Sequence, residues 1–478
     1  MNSSIKTGIL IMKFGGTSVG SVDALRQSAA IVAKGARDWP HVVVVVSAMT
    51  GITDALLTAA TAAGNGNERI YRASIDVILK RHLDVISDLI DEGELRLALE
   101  SQITNFVQEL RDYCHSIHVL GEVTPRGLDT IAPLGERMNA RVFAALLEQI
   151  GVNSCAMDAS SLIVTDNNFT NAAPLMDLTR EQVQTNLLPL MKQGLTPVVT
   201  GFIGATESGI TTTLGRGGSD FTAAILGHSL DADEVWTWTD VDGVMTADPR
   251  IVPGARVIPE LSYSEVSELA YFGAKVLHPK TIRPIIERGI PLWVKNTFNP
   301  DFIGTRISQQ FKRPPGILTA ITTIRSLSIV NVEGRGMLGV PGIAARTFGA
   351  VARQKASVLM ISQSSSEQSI CFVIPTDCAA QVIKSVEDEV ALELMRGDID
   401  RVWAKDRVEI VTVIGSGMRE TPGVSARIFG ALGREGINVI AIAMGSSEFS
   451  ISLVVASTDA NKAVRAIHAE VIENGSVK

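Results

Sequence analysis

Cysteine is scarce in this sequence: there are four in 478 residues (Cys114, Cys155, Cys371 and Cys378), and no two form a CxxC pair. This spacing argues against a zinc site or a disulfide framework and is typical of buried thiols in a reducing compartment. An excess of positive charge is also missing, because the net charge is −8. A nucleic-acid-binding protein needs a basic face, so we expect no nucleic acid partner.

Long apolar runs are missing as well. No stretch approaches the roughly 20 apolar residues of a membrane span, and the start, MNSSIKTGILIMKFGG, lacks a signal-peptide layout. We therefore expect no membrane association and a cytoplasmic protein. The P-loop pattern G-x-x-x-x-G-K-[ST] and the protein-kinase signatures do not occur. The length predicts two to four domains.

The first 300 or so residues alternate β-branched runs with longer amphipathic segments. Four apolar runs predict buried strands: GILIMKF (8–14), HVVVVVSAM (41–49), TPVVTGFIG (196–204) and DEVWTWTDV (233–241). Continuous apolar strands between helices predict an α/β protein, an αβα sandwich with a mainly parallel sheet. Ligands of such sheets bind beyond the carboxyl ends of the strands. The stretch FKRPPG (311–316) is typical of a linker.

The last 150 or so residues contain an internal repeat with an offset of 81 residues. VEGRGMLGVPGIAARTFGAVARQ, from Val332, matches VIGSGMRETPGVSARIFGALGRE, from Val413. The first copy contains G-x-G-x-x-G, the pattern of a dinucleotide-binding turn. The second copy replaces the third glycine, Gly339, by Glu420, so the repeated unit does not require it. Repetition of this kind indicates two copies of one small unit rather than a dehydrogenase.

Two glycine-rich stretches are candidate phosphate sites. KFGGTSVG places Lys13 at a strand end, followed by Gly15 and Gly16, so backbone N–H groups and a cation can meet phosphate oxygens. TTTLGRGGSD carries Arg216, Ser219 and Asp220 before a helix. Arg216 is suited to a carboxylate, and Asp220 to orienting Lys13 or a metal. An Asp cap beside a solvated arginine explains the second stretch equally well.

Other candidate residues also have ordinary structural explanations. WTWTDVDGVMTADPR contains Thr239, Asp240 and Arg250, which suit a nucleotide but also an Asx turn. Lys275 in FGAKVLHP is a second cation or a surface lysine. Glu136 heads an apolar helix, where an acid complements the helix dipole or holds a substrate ammonium. SAMTGITDAL supplies the hydroxyls of Ser47 and Thr53. Together these groups suit phosphoryl transfer to an amino acid.

The motifs KFGGTSV, SAMTGIT, LGE, TTTLGRGGSD, WTDVDGVMTADPR and FGAKVLHP, in this order, resemble the aspartokinases of the amino-acid kinase family. The resemblance covers nearly the whole chain and is strongest to the kinase module of bifunctional aspartokinase–homoserine dehydrogenases, although we expect no fused dehydrogenase here. It implies a catalytic domain at 1–310 and two ferredoxin-like ACT domains at 326–404 and 405–478. The strand at 317–325 is expected to pair with the second ACT domain.

The resemblance implies ATP- and Mg²⁺-dependent phosphorylation of the L-aspartate β-carboxylate, a step toward lysine, threonine and methionine. Lys13, Gly15 and Gly16 would hold ATP phosphates, with Lys13 oriented by Asp220 as the catalytic pair. The aspartate pocket would contain Ser47, Thr53, Glu136, Arg216 and Ser219. The nucleotide would also contact Thr239, Asp240, Arg250 and Lys275. No protein metal ligand is assigned.

The ACT domains imply control by an end-product amino acid, lysine or threonine, and a homodimer or homotetramer joined through them. Relatives that respond to threonine have a glutamine in both repeats, whereas here Gln363 has Met444 as its counterpart. A methionine cannot accept a hydrogen bond from a ligand ammonium as an amide oxygen can. We therefore expect effector binding at the first copy, through Gly336, Met337, Ile343 and Gln363.

Two alternatives remain open from the sequence. One is another amino-acid kinase, acting on glutamate or acetylglutamate. The other is an amino-acid-sensing protein whose kinase half is inactive. The tandem ACT units argue against the first, and the intact Lys13, Arg216, Asp220 and Lys275 argue against the second.

Overall fold

A computed structural model describes residues 8–273, 277, 279–309, 311, 318–337, 342–363, 368–418, 421–445 and 449–473. These residues form two compact units. The larger unit takes its residues from 1–244, 257–263 and 276–311, and the smaller unit from 245–256, 264–275 and 312–478. Most of the linker stretch, residues 312–316, lies outside the described residues.

The larger unit is built on an eight-stranded sheet in the order β3-β5-β2-β1-β8-β10-β11-β9. All neighbouring strands run parallel except β10 and β11, which confirms the predicted mainly parallel sheet. β4, β6 and β7 form a small separate sheet. The strands are β1 (Ile9–Phe14), β2 (His41–Val46), β3 (Ser154–Met157), β4 (Val164–Thr165), β5 (Thr196–Thr200), β6 (Ile203–Thr206), β7 (Thr211–Thr213), β8 (Glu234–Thr239), β9 (Glu260–Ser262), β10 (Leu292–Asn296) and β11 (Thr305–Ser308).

Helices cover this sheet because its central strands are apolar on both faces: every residue of β1 is buried. The helices up to residue 288 are α1 (Val22–Asp38), α2 (Ile52–Gly64), α3 (Glu68–Leu89), α4 (Glu94–Leu120), α5 (Pro125–Ile131), α6 (Leu134–Gln149), α7 (Met176–Asn186), α8 (Leu188–Lys192), α9 (Gly218–Ser229), α10 (Tyr263–Tyr271) and α11 (Pro279–Arg288). The apolar sides of α1, α3, α4 and α6 join one core with β1 and β2. Of the helices in the described part of the chain, none has the length and apolarity needed to cross a membrane.

The smaller unit contains a six-stranded antiparallel sheet in the order β13-β14-β12-β15-β17-β16. Its strands are β12 (Ala320–Glu333), β13 (Met360–Gln363), β14 (Ser369–Pro375), β15 (Arg401–Ile414), β16 (Ala441–Met444) and β17 (Ser450–Ala456). Its further helices are α12 (Ile343–Arg353), α13 (Ala379–Glu389), α14 (Ala391–Arg396), α15 (Val424–Arg434) and α16 (Ser457–His468). This is the predicted pair of α+β units.

The two repeats exchange strands inside this sheet. Residues 320–324 of β12 pair with 410–414 of β15, which belong to the second repeat, and 329–333 pair with 401–405. The register between the two long strands shifts beside left-handed residues, Ser326 at φ 59° and Arg407 at φ 58°. These residues stand 81 positions apart, like the sequence repeats. The backbone thus repeats this irregularity in both long strands.

Two segments between residues 245 and 275 belong to the smaller unit. Ile251 and Val252 lie in the hydrophobic cluster of the second repeat. The Thr246 hydroxyl lies 3.0 Å from Nε2 of the buried His468. Glu265 accepts a hydrogen bond from the Thr319 hydroxyl (2.6 Å). The two units therefore do not divide the chain at a single point, since β9, in the larger unit, lies between these segments.

Candidate active site

The carboxyl ends of four parallel strands meet at one edge of the larger sheet. Phe14, the last residue of β1, is in register with Val46 and Trp238, and Val46 is in register with Thr200. The loops after β1, β2, β5 and β8 therefore start side by side. Predicted residues of the larger unit lie at the ends of β1 and β8 or beyond the ends of β1, β2 and β8, where ligands of such sheets bind: Lys13, Gly15, Gly16, Ser47, Thr53, Thr239 and Asp240.

A lysine–aspartate pair stands at this edge. Nζ of Lys13 lies 2.7 Å from Oδ1 of Asp220, and the two side chains are 9% and 20% exposed. Asp220 occupies the first turn of α9, and Lys13 is the penultimate residue of β1. A Cβ placed on Gly15 would stand 3.5 Å from Nζ, so the glycine leaves the ammonium uncovered on that side. The pair can present a fixed cation to an anionic group.

A glycine turn, residues Gly15–Gly20, follows Lys13. The Gly15 N–H donates to the carbonyl oxygen of Trp238 (3.2 Å) and thereby holds the turn against the end of β8. The Thr50 hydroxyl donates to the carbonyl oxygen of Gly16 (2.8 Å) and ties the turn to the loop after β2. A Cβ on Gly20 would stand 2.5 Å from that hydroxyl oxygen, which explains the glycine there. The turn is built for close approach of backbone to a ligand.

A buried carboxyl stands beside the loop after β2. Glu136, in the first turn of α6, is 4% exposed, and its Oε1 accepts the Ala48 N–H at 3.2 Å. Its Oε2 is buried and has no hydrogen-bond partner among the described residues. Burial raises the pKa of the Glu136 carboxyl to about 8, and the hydrogen bond from Ala48 opposes that shift only in part. A buried carboxyl of this kind is poised to pair with an ammonium group.

Asn139, one turn along α6 from Glu136, also contacts this loop. The Asn139 side chain is fully buried and donates to the carbonyl oxygen of Ser47 (2.6 Å). Ser47 and Thr53 are half-buried, and Thr53 lies in the first turn of α2. That helix begins after Gly51, a left-handed residue that gives no side-chain cap. The structure therefore brings Ser47 and Glu136 to the same loop.

The second glycine stretch surrounds Arg216 with two left-handed glycines, Gly215 at φ 76° and Gly217 at φ 73°. Arg216 is exposed at the start of α9. Ser219, in the first turn of α9, packs so closely on Gly201 that a Cβ there would stand 2.5 Å from the serine Oγ. The serine, the arginine and Asp220 thus share one helix start, next to the end of β5.

The nucleotide residues predicted from the later motifs divide between the units. Thr239 ends β8 and donates to Asp240 (3.2 Å), at the same edge as Lys13. Arg250 belongs to the smaller unit, where it is 83% exposed and pairs with Asp248 at 2.7 Å. Lys275 lies outside the described residues.

The predicted effector residues lie around a 3₁₀ turn of the first repeat. Gly336 and the buried Met337 form that turn, Ile343 starts α12 behind the left-handed Gly342, and Gln363 ends β13 with an exposed side chain. Residues 338–341 and 364–367 lie outside the described residues.

The repeated glycines have a packing role. A Cβ on Gly334 would stand 2.2 Å from the carbonyl oxygen of Asp398, and one on Gly336 would stand 2.6 Å from the Asp398 Cα. In the second repeat, Gly415 meets Leu318 and Thr319 in the same way. The first two glycines of the G-x-G-x-x-G stretch, Gly334 and Gly336, are there because a neighbouring segment crosses the turn at backbone distance.

Comparison with known proteins finds a matching family model for each of the two parts of the chain. Residues 8–296 match the model of the amino acid kinase family, and residues 330–390 and 411–471 each match an ACT domain model. Aspartokinase 3, chloroplastic, of Arabidopsis thaliana is 34% identical over 477 residues, which cover 99% of this chain and 83% of that protein. The chain belongs to the aspartokinases, within the amino acid kinase family.

A solved structure has the same architecture along its full length. The crystal structure of Escherichia coli aspartokinase III in complex with lysine and aspartate superposes with a TM-score of 0.80 at 31% identity, covering 98% of this chain and 100% of that one. Bifunctional relatives are longer. The bifunctional aspartokinase/homoserine dehydrogenase 1, chloroplastic, of Arabidopsis thaliana is 35% identical over 98% of this chain and 52% of its own length. The chain thus spans about half the length of the bifunctional relatives that it matches.

Three residues at the site were not predicted: Thr50, Arg81 and Asn139. Thr50 lies inside a motif that the sequence singled out, so its position was a usable signal. Arg81 and Asn139 lie within helices whose polar residues look like ordinary surface positions. The contacts of these two residues with the loops become visible only in the folded chain.

Proposed function

We propose that this chain is an aspartate kinase that transfers the γ-phosphoryl group of ATP to the β-carboxylate of L-aspartate. The products are 4-phospho-L-aspartate and ADP, and the reaction is the first step toward lysine, threonine and methionine. The observation that carries the proposal is the Lys13–Asp220 pair at the edge where the buried Glu136 meets the loop after β2. One group suits a phosphate and the other an amino-acid ammonium.

In the proposed reaction, a β-carboxylate oxygen attacks the γ-phosphorus while the bond to the bridging oxygen of ADP breaks. Such transfer needs positioning and charge stabilisation more than covalent chemistry. Lys13 would hold the equatorial phosphate oxygens, and the backbone of the turn at Gly15 and Gly16 would approach the other phosphates, with no side chain in the way. Asp220 would hold the lysine ammonium directed toward them.

The substrate would be held by its charged ends. Glu136 would pair with the ammonium of aspartate and Arg216 with its α-carboxylate, while Ser47, Thr53 and Ser219 complete the pocket. Aspartate and glutamate have the same ammonium and α-carboxylate and differ only in the length of the side chain. Selection between them therefore depends on the distance between the loop after β2 and the phosphate site. Thr239, Asp240, Arg250 and Lys275 are proposed nucleotide contacts.

Mg²⁺ is the metal that this reaction would use. No cluster of three or more His, Cys, Asp or Glu side chains gathers as a metal site among the described residues. We therefore propose that Mg²⁺ is bound mainly by ATP phosphate oxygens and water, with one or two carboxylates from the protein, as is common in kinases. Bound there, the metal would offset the charge of the phosphates.

Regulation is proposed to work through the first ACT unit, with lysine or threonine bound near Gly336, Met337, Ile343 and Gln363. The E. coli aspartokinase III structure was determined with lysine, which supports an amino-acid effector. We further propose a homodimer or homotetramer joined through the ACT units, since Ile361 and Ile442 are 51% and 45% exposed on β13 and β16, the end strands of the sheet. A cytoplasmic location stays a prediction from the sequence.

The function is tested by ATP turnover with different carboxyl acceptors. ADP release is followed by a coupled assay with aspartate, with glutamate or with no acceptor, and the acyl phosphate is trapped with hydroxylamine as a hydroxamate. The proposal expects ADP release and hydroxamate with aspartate. Release with glutamate alone would indicate another amino-acid kinase, and release with neither would indicate a sensing protein.

A further inference from the structure

Two loops must keep a fixed separation for this reaction. The glycine turn Gly15–Gly20 follows β1, and the loop Ser47–Gly51 follows β2, its parallel neighbour. On the proposed function, the first holds the phosphates and the second holds the attacking amino acid. The distance between them sets how closely the carboxylate oxygen approaches the phosphorus. A misplacement of about 1 Å in such an arrangement costs up to about 10²-fold in rate.

One arginine from a third element spans both loops. Nη2 of Arg81, in α3, donates to the carbonyl oxygen of Gly20 at 3.0 Å. Nη1 of the same guanidinium lies 3.7 Å from the point where a Cβ would stand on Gly51. Gly51 is left-handed and precedes α2, and the guanidinium lies at van der Waals distance from that Cβ position. The planar fork of arginine lets Nη2 bond Gly20 while Nη1 lies beside Gly51, an arrangement that the single ammonium of a lysine does not reproduce.

The base of this arginine is firmly placed. Ile78 and His82, on either side of it in α3, are fully buried, and Ile78 belongs to the core that contains β1 and β2. The Arg81 side chain itself is half-buried, and no ion pair joins it to a carboxylate of the described residues. Its Nη2 donor therefore binds the backbone of the glycine turn. The Thr50 hydroxyl makes the other tie, to the Gly16 carbonyl oxygen.

We propose that Arg81 is a positioning residue that sets the spacing between the glycine turn and the loop after β2. This inference rests on the proposed kinase function. Arg81 acts through Gly20 and Gly51 and touches neither substrate. Without Arg81, the distance between the carboxylate oxygen and the phosphorus is held less precisely, while the binding groups on each loop stay in place. The effect therefore falls on kcat more than on the KM for ATP or aspartate.

The test compares Arg81→Ala, Arg81→Lys and the control Arg72→Ala. Arg72 lies on the same helix, is 68% exposed and pairs only with Glu68 among its described ion pairs. We expect Arg81→Ala to lower kcat about 10–100-fold with KM values within about threefold, and Arg72→Ala to match the wild type. Arg81→Lys should recover little of the loss.

Chemical rescue separates positioning from folding. Millimolar guanidinium chloride should restore part of kcat in Arg81→Ala, while sodium chloride at the same ionic strength should not. A kcat within twofold of the wild type would overturn the proposal. The proposal would also be overturned if guanidinium left the lowered kcat of Arg81→Ala unchanged and the variant had a lower melting temperature. Failure of the kinase function itself would already show in the wild-type chain, before any variant is compared.

Discussion

The Lys13 ammonium lies 2.7 Å from the Asp220 carboxylate, although the two residues come from distant parts of the chain. β1 delivers the lysine and the start of α9 delivers the aspartate to one edge of the sheet. Since little water reaches either side chain, the charge of the lysine is screened weakly and its direction is fixed. A phosphate at this edge would meet a preorganised cation.

Replacing this lysine tests its role in transfer. We expect Lys13→Ala to lower kcat with ATP and aspartate by about 10²–10³-fold or more, because the charge that develops on the phosphoryl oxygens loses its fixed partner. Circular dichroism should show an unchanged fold. Lys34→Ala is the control, since Lys34 is 65% exposed and 3.7 Å from Asp301. Near-normal kcat in Lys13→Ala would rule out the phosphate role.

The raised pKa of Glu136 predicts how substrate binding depends on pH. With a pKa of about 8, the carboxyl is largely protonated at pH 6 and must ionise to pair with an ammonium. The KM for aspartate should therefore fall as the pH rises from 6 to 8.5. Glu136→Gln should raise the KM about 10–100-fold and remove this dependence, because a charged hydrogen bond is lost. An unchanged KM at every pH would exclude Glu136 from the pocket.

The same shift predicts the effect of pH on stability. Between the ordinary pKa of a glutamate and about 8, the folded chain keeps a proton at Glu136 that the unfolded chain releases. The contribution of this group to the free energy of unfolding therefore falls as the pH rises through that interval. In urea titrations, we compare the free energy of unfolding of Glu136→Gln with that of the wild type. The difference, variant minus wild type, should be more positive at pH 8 than at pH 5. An equal difference at both pH values would contradict the raised pKa.

Close packing at Gly201 predicts a sensitive position away from the charges. A methyl group there would stand 2.5 Å from the Ser219 Oγ and 3.0 Å from its Cα, so the start of α9 must move and Asp220 with it. We expect Gly201→Ala to lower both the melting temperature and kcat/KM for aspartate, the latter by about tenfold or more. Gly433→Ala, where an added methyl meets nothing within 4 Å, is the control. Wild-type kinetics in Gly201→Ala would show that α9 need not be held there.

The effector assignment predicts an asymmetry between matched positions. Gln363 and Met444 end the equivalent strands β13 and β16, and the glutamine amide oxygen accepts a hydrogen bond from an ammonium far better than a thioether sulfur does. Activity is titrated against lysine and against threonine in the wild type, Gln363→Ala and Met444→Ala. We expect Gln363→Ala to weaken inhibition about tenfold and Met444→Ala to leave it unchanged. The reverse result would assign the effector to the second copy.

The residues beside glycine turns were the part of the site that the sequence made visible. Lys13 lies at the end of an apolar run, and the ends of parallel strands share an edge; Asp220 follows a glycine turn at the start of a helix. The repeat also argued against a dinucleotide-binding turn, and the structure shows that Gly334 and its counterpart Gly415 are packing positions. Strand order itself was not predicted, because it depends on contacts between distant segments.

Other features of the structure could not be predicted from the sequence. Arg81 and Asn139 project from long helices, where nothing in the spacing distinguishes a residue that braces a loop from a solvated one. Residues 245–256 continue the acidic turn after β8 without any change in composition, yet Ile251 and Val252 pack in the smaller unit. Such an association is set by the surface to which a segment is complementary, and that surface is formed by residues from Leu318 onward.

The most direct test is a crystal structure with aspartate and a non-hydrolysable ATP analogue. We expect the Lys13 Nζ to lie within hydrogen-bonding distance of a γ-phosphate oxygen. We also expect the ammonium of aspartate at Glu136 and the β-carboxylate facing the γ-phosphorus. A nucleotide whose phosphates lie away from Lys13, or an aspartate bound away from Glu136, would contradict the proposed function.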